Sequence, residues 1–193
     1  MEGPAEVMTR SNGSPRIADQ VVARYRRTEL AAPHTLAELN AILGLLRGIK
    51  AHSISIGHGR DLASVEAARA LADAWTSTGD STQPPCVLRI VDWPENAASW
   101  LRPAQRLVAT IPDAWVIADT PAGFGQLARR LAEQPDWSPA RTFAFANLAD
   151  PDLVALAGPD LSGLSGATAS GEVWYLSRRA LIVDHPNATG IQR

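Results

Sequence analysis

The sequence predicts an α/β fold, an open and mostly parallel sheet with helices on both faces, preceded by two N-terminal helices. Two observations predict this three-layer αβα arrangement. From residue 53 onward, short apolar or β-branched runs alternate with helical stretches of ten or more residues, which is typical of right-handed βαβ crossovers. The chain of 193 residues is also long enough to bury one apolar core without disulfides or metal ions.

Four runs rich in apolar and β-branched residues are the predicted strands, at 53–56, 87–91, 114–118 and 142–146. The stretches between them carry apolar residues at helical spacing and predict helices at 61–78, 95–109 and 122–134. Pro103 falls inside the second of these stretches. That helix is therefore expected to be in two pieces or to begin at a Ser99 cap.

Two helices are predicted before the first strand. The first begins at Ser14-Pro15, where the hydroxyl caps the helix and proline occupies its first position, and it ends near Glu29. The second begins with the capping box Thr35-Leu-Ala-Glu38. It carries an apolar stripe and ends near Gly48. The stripe consists of Leu36, Leu39, Leu43 and Leu46.

The C-terminal part departs from the βαβ pattern. The window 161–171 is rich in glycine and serine and predicts turns. The runs 173–177 and 181–183 then predict a terminal hairpin, or one strand with a short return. The expected organisation has four parts: a disordered tail (1–13), a helical segment (14–50), an α/β ligand-binding-like domain (51–185) and a C-terminal tail (186–193).

Composition and charge exclude several classes of protein. The formal charge is −2, with no basic cluster large enough for nucleic acid, so no nucleic-acid partner is expected. The single cysteine, Cys86, cannot form an internal disulfide. No apolar run is long enough for a membrane span, and the first residues lack the apolar stretch of a secretory signal, which predicts a cytoplasmic protein with no membrane partner. The four histidines lack metal-ligand spacing, so neither a metal nor a cofactor is expected.

Polar residues follow the predicted strands at the point where each strand ends. Because the carboxyl ends of parallel strands meet at one edge of a sheet, these residues are the candidate ligand-binding residues. After the first strand, two glycines alternate with His58 and Arg60, as in half of a dinucleotide-binding fingerprint, although Leu62 replaces its third glycine. The candidates are Gly57, His58, Gly59, Arg60, Asp92, Asp119 and Asn147.

Several acidic residues in these loops have alternative interpretations that the sequence leaves open. Asp92 and Asp119 end two successive strands and could divide acid and base roles. Asp61, Asp150 and either Asp119 or Thr120 are equally good helix caps. No catalytic residue is assigned.

Residues 53–168 resemble one lobe of the type I periplasmic-binding-protein fold, of the branched-chain amino-acid and amide receptor kind. The resemblance is carried by an ordered series of motifs. An Ala-rich helix at 67–75 precedes the run Pro112-Asp-Ala-Trp-Val-Ile-Ala118, and Asp150-Pro-Asp-Leu and Gly163-Leu-Ser-Gly166 follow. The resemblance implies a flavodoxin-like sheet and a receptor that binds a small solute between two lobes without catalysis.

Three functions are compatible with these observations. The favoured one is a non-catalytic module that binds or senses a small polar molecule, or a partner protein, at the strand ends. The second is a Rossmann-like enzyme that uses a nucleotide or S-adenosylmethionine, with Gly57 and Gly59 as the cradle for the ligand and Asp92 as the acceptor for a hydroxyl group. The third is an assembly protein that oligomerises through its N-terminal helices. A homo-oligomer is expected, since only two helices precede residue 53 and a second chain would have to complete the cleft.

Overall fold

A computed structural model describes residues 17–25, 30–77, 84–178 and 180–184. This part of the chain forms seven strands and six α-helices. The strands are β1 (Ser53–Gly59), β2 (Cys86–Trp93), β3 (Ala114–Ala118), β4 (Thr142–Ala144), β5 (Ser165–Ala167), β6 (Val173–Leu176) and β7 (Leu181–Asp184). The helices are α1 (Asp19–Tyr25), α2 (Leu36–Gly48), α3 (Leu62–Ser77), α4 (Leu101–Val108), α5 (Pro121–Leu131) and α6 (Pro151–Ala157).

The strands form one sheet in the order β2-β1-β3-β4-β5-β6-β7. The first five strands in this order are parallel, and β6 and β7 are antiparallel additions. The predicted α/β class and the terminal hairpin are confirmed. The prediction of turns throughout 161–171 is wrong for Ser165–Ala167, which is the fifth parallel strand. Its three residues are too short and too small to show an apolar run.

Helices cover both faces of the sheet, as predicted. Alternation along β3 shows this: Val116 packs in a cluster with α2 and α3, whereas Trp115 and Ile117 pack in a second cluster with α4, α5 and α6. All five residues of β3 are buried. A central parallel strand is apolar on both faces because each face contacts helices rather than water.

The helices that follow a strand, α3 to α6, begin at the carboxyl edge of the sheet, and so does α2. Capping side chains explain where several of these helices begin. The Thr120 hydroxyl accepts from the Gly123 amide, with proline at the first position of α5. Asp150 caps α6 in the same way, and Asp61 accepts from the Ser64 amide in α3. The capping interpretations of Asp61, Thr120 and Asp150 therefore agree with the structure.

Two details of the predicted helices are wrong. The helix expected from residue 95 begins at Leu101, so Pro103 lies in its first turn, where its missing N–H leaves no hydrogen bond unmade. Ser99 still contributes, because its hydroxyl accepts from the Leu101 amide at 3.2 Å. Leu36, expected in the apolar stripe of α2, is 77% exposed, since it is the first residue of the helix and extends past the edge of the core.

Glu38 ties the start of α2 to the sheet edge. Its carboxylate accepts from the Thr35 amide at 3.0 Å, which completes the predicted capping box, and also from the Ala146 amide after β4. The Thr35 hydroxyl donates to the Ala169 carbonyl at 2.6 Å. Glu38 is buried, and backbone amides donate to both of its carboxyl oxygens, which offsets the cost of burying a polar group.

Glu38→Ala is expected to destabilise the chain by about 3 kcal/mol, since two amides lose their acceptor in a buried place. Urea unfolding measures the change. Glu38→Gln retains one acceptor oxygen and should lose about half as much, while Ala at the exposed Glu66 of α3 should change stability by less than about 0.5 kcal/mol. A loss below about 1 kcal/mol in Glu38→Ala would contradict this role.

The N-terminal residues that the structure describes pack on α5. Gln126 bonds Ile17 twice, accepting from its amide at 3.1 Å and donating to its carbonyl at 3.2 Å. Ile17 and Val22 then bury their side chains against Ala122 and Leu156. The predicted tails at 1–13 and 186–193 and the Ser14-Pro15 cap lie outside the described residues, and the predicted domain boundaries stay predictions.

Candidate functional site

A cleft of about 450 Å³ opens at the carboxyl edge of the sheet. It is lined by the loops that follow β3 and β4 and by an N-terminal wall, which consists of Tyr25 and residues 30–32. The strand order places the switch point of the sheet between β1 and β3, where successive crossovers leave to opposite faces and a crevice forms. We call this cavity the edge cleft.

Asn147 holds the two walls of the edge cleft together. Its side-chain oxygen accepts from the Ala32 amide at 3.2 Å, and its side-chain nitrogen donates to the Ala32 carbonyl at 2.9 Å. The predicted candidate Asn147 therefore lies at the cleft, with its amide group engaged by the N-terminal wall. Its role toward a ligand stays a prediction.

Three carboxylates line the edge cleft: Asp61 after β1, Glu95 after β2 and Asp150 after β4. No Lys, Arg or His lines it among the residues that the structure describes. Tyr25, Leu30 and Ala31 also line the cleft and provide apolar surface.

Asp119 lies beneath the cleft and is 4% exposed. Its Oδ2 accepts from the Trp93 indole nitrogen at 2.6 Å, and its Oδ1 accepts from the Thr120 amide at 2.7 Å. Gly59 and Gly123 enclose it from two further sides. A Cβ on Gly123 would lie 2.5 Å from the carboxylate oxygens, and one on Gly59 would lie closer still. The carboxyl group is thus enclosed by residues at the ends of β1 and β2 and by its own segment, residues 119–123.

Burial raises the pKa of Asp119 to about 8, because water no longer solvates the charged form. The hydrogen bonds from Thr120 and Trp93 favour the ionised carboxylate and act in the opposite direction. Asp61 and Glu95 add repulsion that raises the pKa further. A strongly perturbed carboxyl group under a cleft is a candidate functional group on physical grounds.

Three of the predicted site residues gather elsewhere, on the sheet face that α2 and α3 cover. His58 follows the parity of Ile54 and Ile56, which pack in that face. Arg60 donates to Asp92 at 2.6 Å in an exposed ion pair. The Arg60 hydrogen bond lowers the pKa of Asp92, burial raises it, and the charges of Arg60 and His58 lower it further.

The remaining predicted residues lie on the opposite face. Gly57 leaves room for the Trp93 ring, since a Cβ there would lie 2.7 Å from it. Gly59 makes room for Asp119, as described above. Asp92 and Asp119 belong to different faces of the sheet, so the structure does not bring them together as an acid and base pair.

Sequence reasoning did not assign Tyr25, Leu30 or Glu95 to the site. Tyr25 and Leu30 precede the sheet domain, and nothing local indicates that their segment returns to the strand ends. Glu95 lies in the loop after β2, and its position near the end of a predicted strand was the only feature of the sequence that could have assigned it to the site. Asp61 and Asp150 were interpreted as helix caps, and they both cap helices and line the cleft.

Two searches for other kinds of site concern the described residues alone. No group of three or more His, Cys, Asp or Glu side chains there is arranged to hold a metal ion. None of the helices in these ranges combines the length and apolarity needed to cross a membrane.

Comparison with solved structures identifies the architecture. A substrate-binding periplasmic protein from Ralstonia solanacearum matches with a TM-score of 0.59 and 17% identity over 72% of this chain and 38% of its own. The chain has the fold of one lobe of a solute receptor. The predicted resemblance to a type I periplasmic-binding-protein lobe is therefore confirmed for the fold.

Two further structures show the same relation. An extracellular ligand-binding receptor from Rhodopseudomonas palustris HaA2 has a TM-score of 0.57, 14% identity, and coverage of 72% of this chain and 37% of its own. A protein assigned to branched-chain amino acid ABC transport in Silicibacter pomeroyi has a TM-score of 0.56, 19% identity, and coverage of 69% and 34%. This chain spans little more than a third of the length of these receptors. No protein family and no curated protein matches it by sequence.

Proposed function

We propose that the chain is a non-catalytic binding module whose edge cleft takes a small molecule that carries an ammonium group. The observation that carries the proposal is the lining of the cleft by Asp61, Glu95 and Asp150 with no basic side chain from the described residues. A cation placed among them gains Coulomb energy that a neutral or anionic ligand does not.

The shape of the edge cleft limits the size and character of this ligand. A volume of about 450 Å³ lies in the range of pockets for metabolite-sized molecules. Tyr25, Leu30 and Ala31 add apolar surface to the carboxylate lining, so a ligand with a hydrocarbon part and a charged amine matches both kinds of surface. Arg60, a candidate ligand-binding residue in the sequence, pairs with Asp92 on the other face of the sheet and does not line the edge cleft.

The structural neighbours support this proposal at the level of fold. They are named as substrate-binding or ligand-binding receptors, and one is assigned to branched-chain amino acid transport. A role in sensing, a cytoplasmic location and self-association stay proposals.

Thermal unfolding with matched probes tests the proposal. 1,4-Diaminobutane and 1-aminobutane should raise the stability of the chain, whereas 1,4-butanediol, of similar length without charge, should not. A ligand at a hundred times its dissociation constant stabilises the native state by about 2.7 kcal/mol. Equal shifts with the diamine and the diol, or no shift with either amine, would overturn the proposal.

Charge removal in the cleft should weaken amine binding by about tenfold for each carboxylate. Asp61→Asn keeps a good helix cap while it removes the charge, and Glu95→Gln removes the charge from the loop after β2. The control is Glu133→Gln, because Glu133 pairs with Arg130 just beyond the C-terminal end of α5, ~16 Å along the helix from the cleft. Isothermal titration calorimetry measures the affinities, and equal losses in all three variants would contradict the assignment.

A further inference from the structure

We infer that two copies of this chain associate through the carboxyl edges of their sheets, about a two-fold axis that passes near β3. The inference stands on leucine side chains that this edge leaves exposed. Leu36 is 77% exposed and Leu62 is 73% exposed, and Leu101 is exposed as well. Each of the three is the first residue of a helix that begins at this edge, namely α2, α3 and α4.

Helix formation does not account for these leucines. Proline or an acidic residue suits the first position of a helix, and α5 and α6 do begin with proline. Because each Cα–Cβ bond of a helix tilts toward the N-terminus, the side chain of a first residue extends past the end of the helix. The leucines therefore project beyond the sheet edge, and exposed apolar side chains gathered on one side of a protein mark an interaction surface.

The positions of α2 and α3 make this edge complementary to itself. On their face of the sheet, α3 packs on β1, β2 and β3, while α2 packs on β4 and β5. β3 is the middle one of the five parallel strands. A half-turn about an axis at the carboxyl end of β3, perpendicular to the sheet, exchanges the positions of the two helices. Leu62 of one copy then lies opposite the partner's Leu36, and the reverse, as a closed two-fold interface requires.

The other face of the sheet supplies a second pair of contacts. There α4 packs on β1 and β2, so Leu101 lies toward the β2 side. Leu30, which is 96% exposed, lies at the cleft toward the β4 side, because Asn147 after β4 bonds the nearby Ala32. The same half-turn brings Leu101 toward the partner's Leu30.

The dimensions and charges of the edge fit a second copy of the chain. Five strands about 4.8 Å apart and three layers of about 10 Å each give a face on the order of 20 by 30 Å. A specific interface buries roughly 800 Å² on each partner, which is the same order of area. The edge also carries charges of both signs, since Arg60 pairs with Asp92 there and Arg102 and Asp61 are of opposite charge. Two copies therefore do not meet with surfaces of one sign.

Sedimentation velocity of the full chain without ligand, from about 1 to 100 µM, tests the inference, and a dimer is the expected species. Leu36→Asp and Leu62→Asp should each weaken the dimer roughly 100-fold, since a two-fold interface contains every substitution twice. An acidic first residue favours a helix, so both variants should stay folded. Ile111→Asp is the control, because Ile111 is 62% exposed at the opposite edge of the sheet and its left-handed backbone tolerates aspartate.

Two double variants test the pairing of Leu36 with Leu62. In Leu36→Lys/Leu62→Asp, each introduced ammonium group faces a carboxylate introduced in the partner, so the dimer should be at least about tenfold stronger than in Leu62→Asp alone. In Leu36→Asp/Leu62→Asp, like charges face each other, and the chain should stay monomeric.

Each outcome supports or overturns the inference. A parent chain that is monomeric over the whole concentration range overturns it, as does a dimer that persists in both Leu36→Asp and Leu62→Asp, or one that Ile111→Asp abolishes. Equal association of the two double variants overturns the two-fold pairing. No ligand enters these measurements, so the proposed function stands or falls on its own experiments.

Discussion

Asp119→Asn is expected to remove most of the pH dependence of stability between pH 5 and 8. The pKa of Asp119 is about 8 in the folded chain and near its ordinary value of 3.8 in the unfolded chain. In this window the folded state holds a proton that the unfolded state has released. The free energy of unfolding therefore falls as pH rises, by about 1.4 kcal/mol per unit and by ~4 kcal/mol at most from pH 5 to 8.

Urea unfolding at pH 5, 6, 7 and 8 measures this slope. The stability of Asp119→Asn should hardly change with pH. It should be lower than that of the parent chain at pH 5, because the NH2 group of asparagine cannot accept and one of the two donors, Trp93 or Thr120, loses its acceptor. Asp113→Asn is the matched control. The Ser53 amide lowers the pKa of Asp113, burial raises it, and bonds from His52 and the Ser53 side chain lower it, so its contribution is lost only in acid. A parent chain whose stability does not fall from pH 5 to 8 would contradict the assignment.

Gly59→Ala and Gly123→Ala are each expected to destabilise the chain by about 3 kcal/mol. In both variants the new Cβ meets the Asp119 carboxyl group, which its two donors hold in place. Overpacking a rigid site of this kind forces the backbone or the buried carboxyl group to move.

Gly44→Ala provides the control for this pair. Gly44 lies within α2, and nothing stands within 4 Å of the position that its Cβ would take. Alanine there should stabilise the chain by roughly 0.5 to 1 kcal/mol, because glycine is the poorer helix former. Thermal or urea unfolding compares the three variants, and a loss below about 1 kcal/mol at Gly59 and Gly123 would show that the carboxyl group yields.

The elements with a strong period were predictable from the sequence. The run Ala114–Ala118 is a strand over the same residues in the structure, and the Thr35 capping box begins a helix as expected. Ser165–Ala167 was missed, since three small residues carry no apolar period and become a strand only by pairing with β4. Tertiary pairing overrides weak local preference in such short segments.

The sequence by itself determined the α/β class, the alternation of strands and helices that gives a parallel sheet, and the edge of the sheet at which the polar loops lie. These follow from local periods and from capping chemistry, which act over a few residues. Only the tertiary structure decided which loop residues meet. Alternation along β1 and the loop after it places His58 and Arg60 on one face of the sheet and Gly57 and Gly59 on the other. The order of the strands in the sheet brings Asp61, Glu95 and Asp119 close together although they are far apart in the sequence. Such contacts depend on strand pairing, which no local pattern encodes.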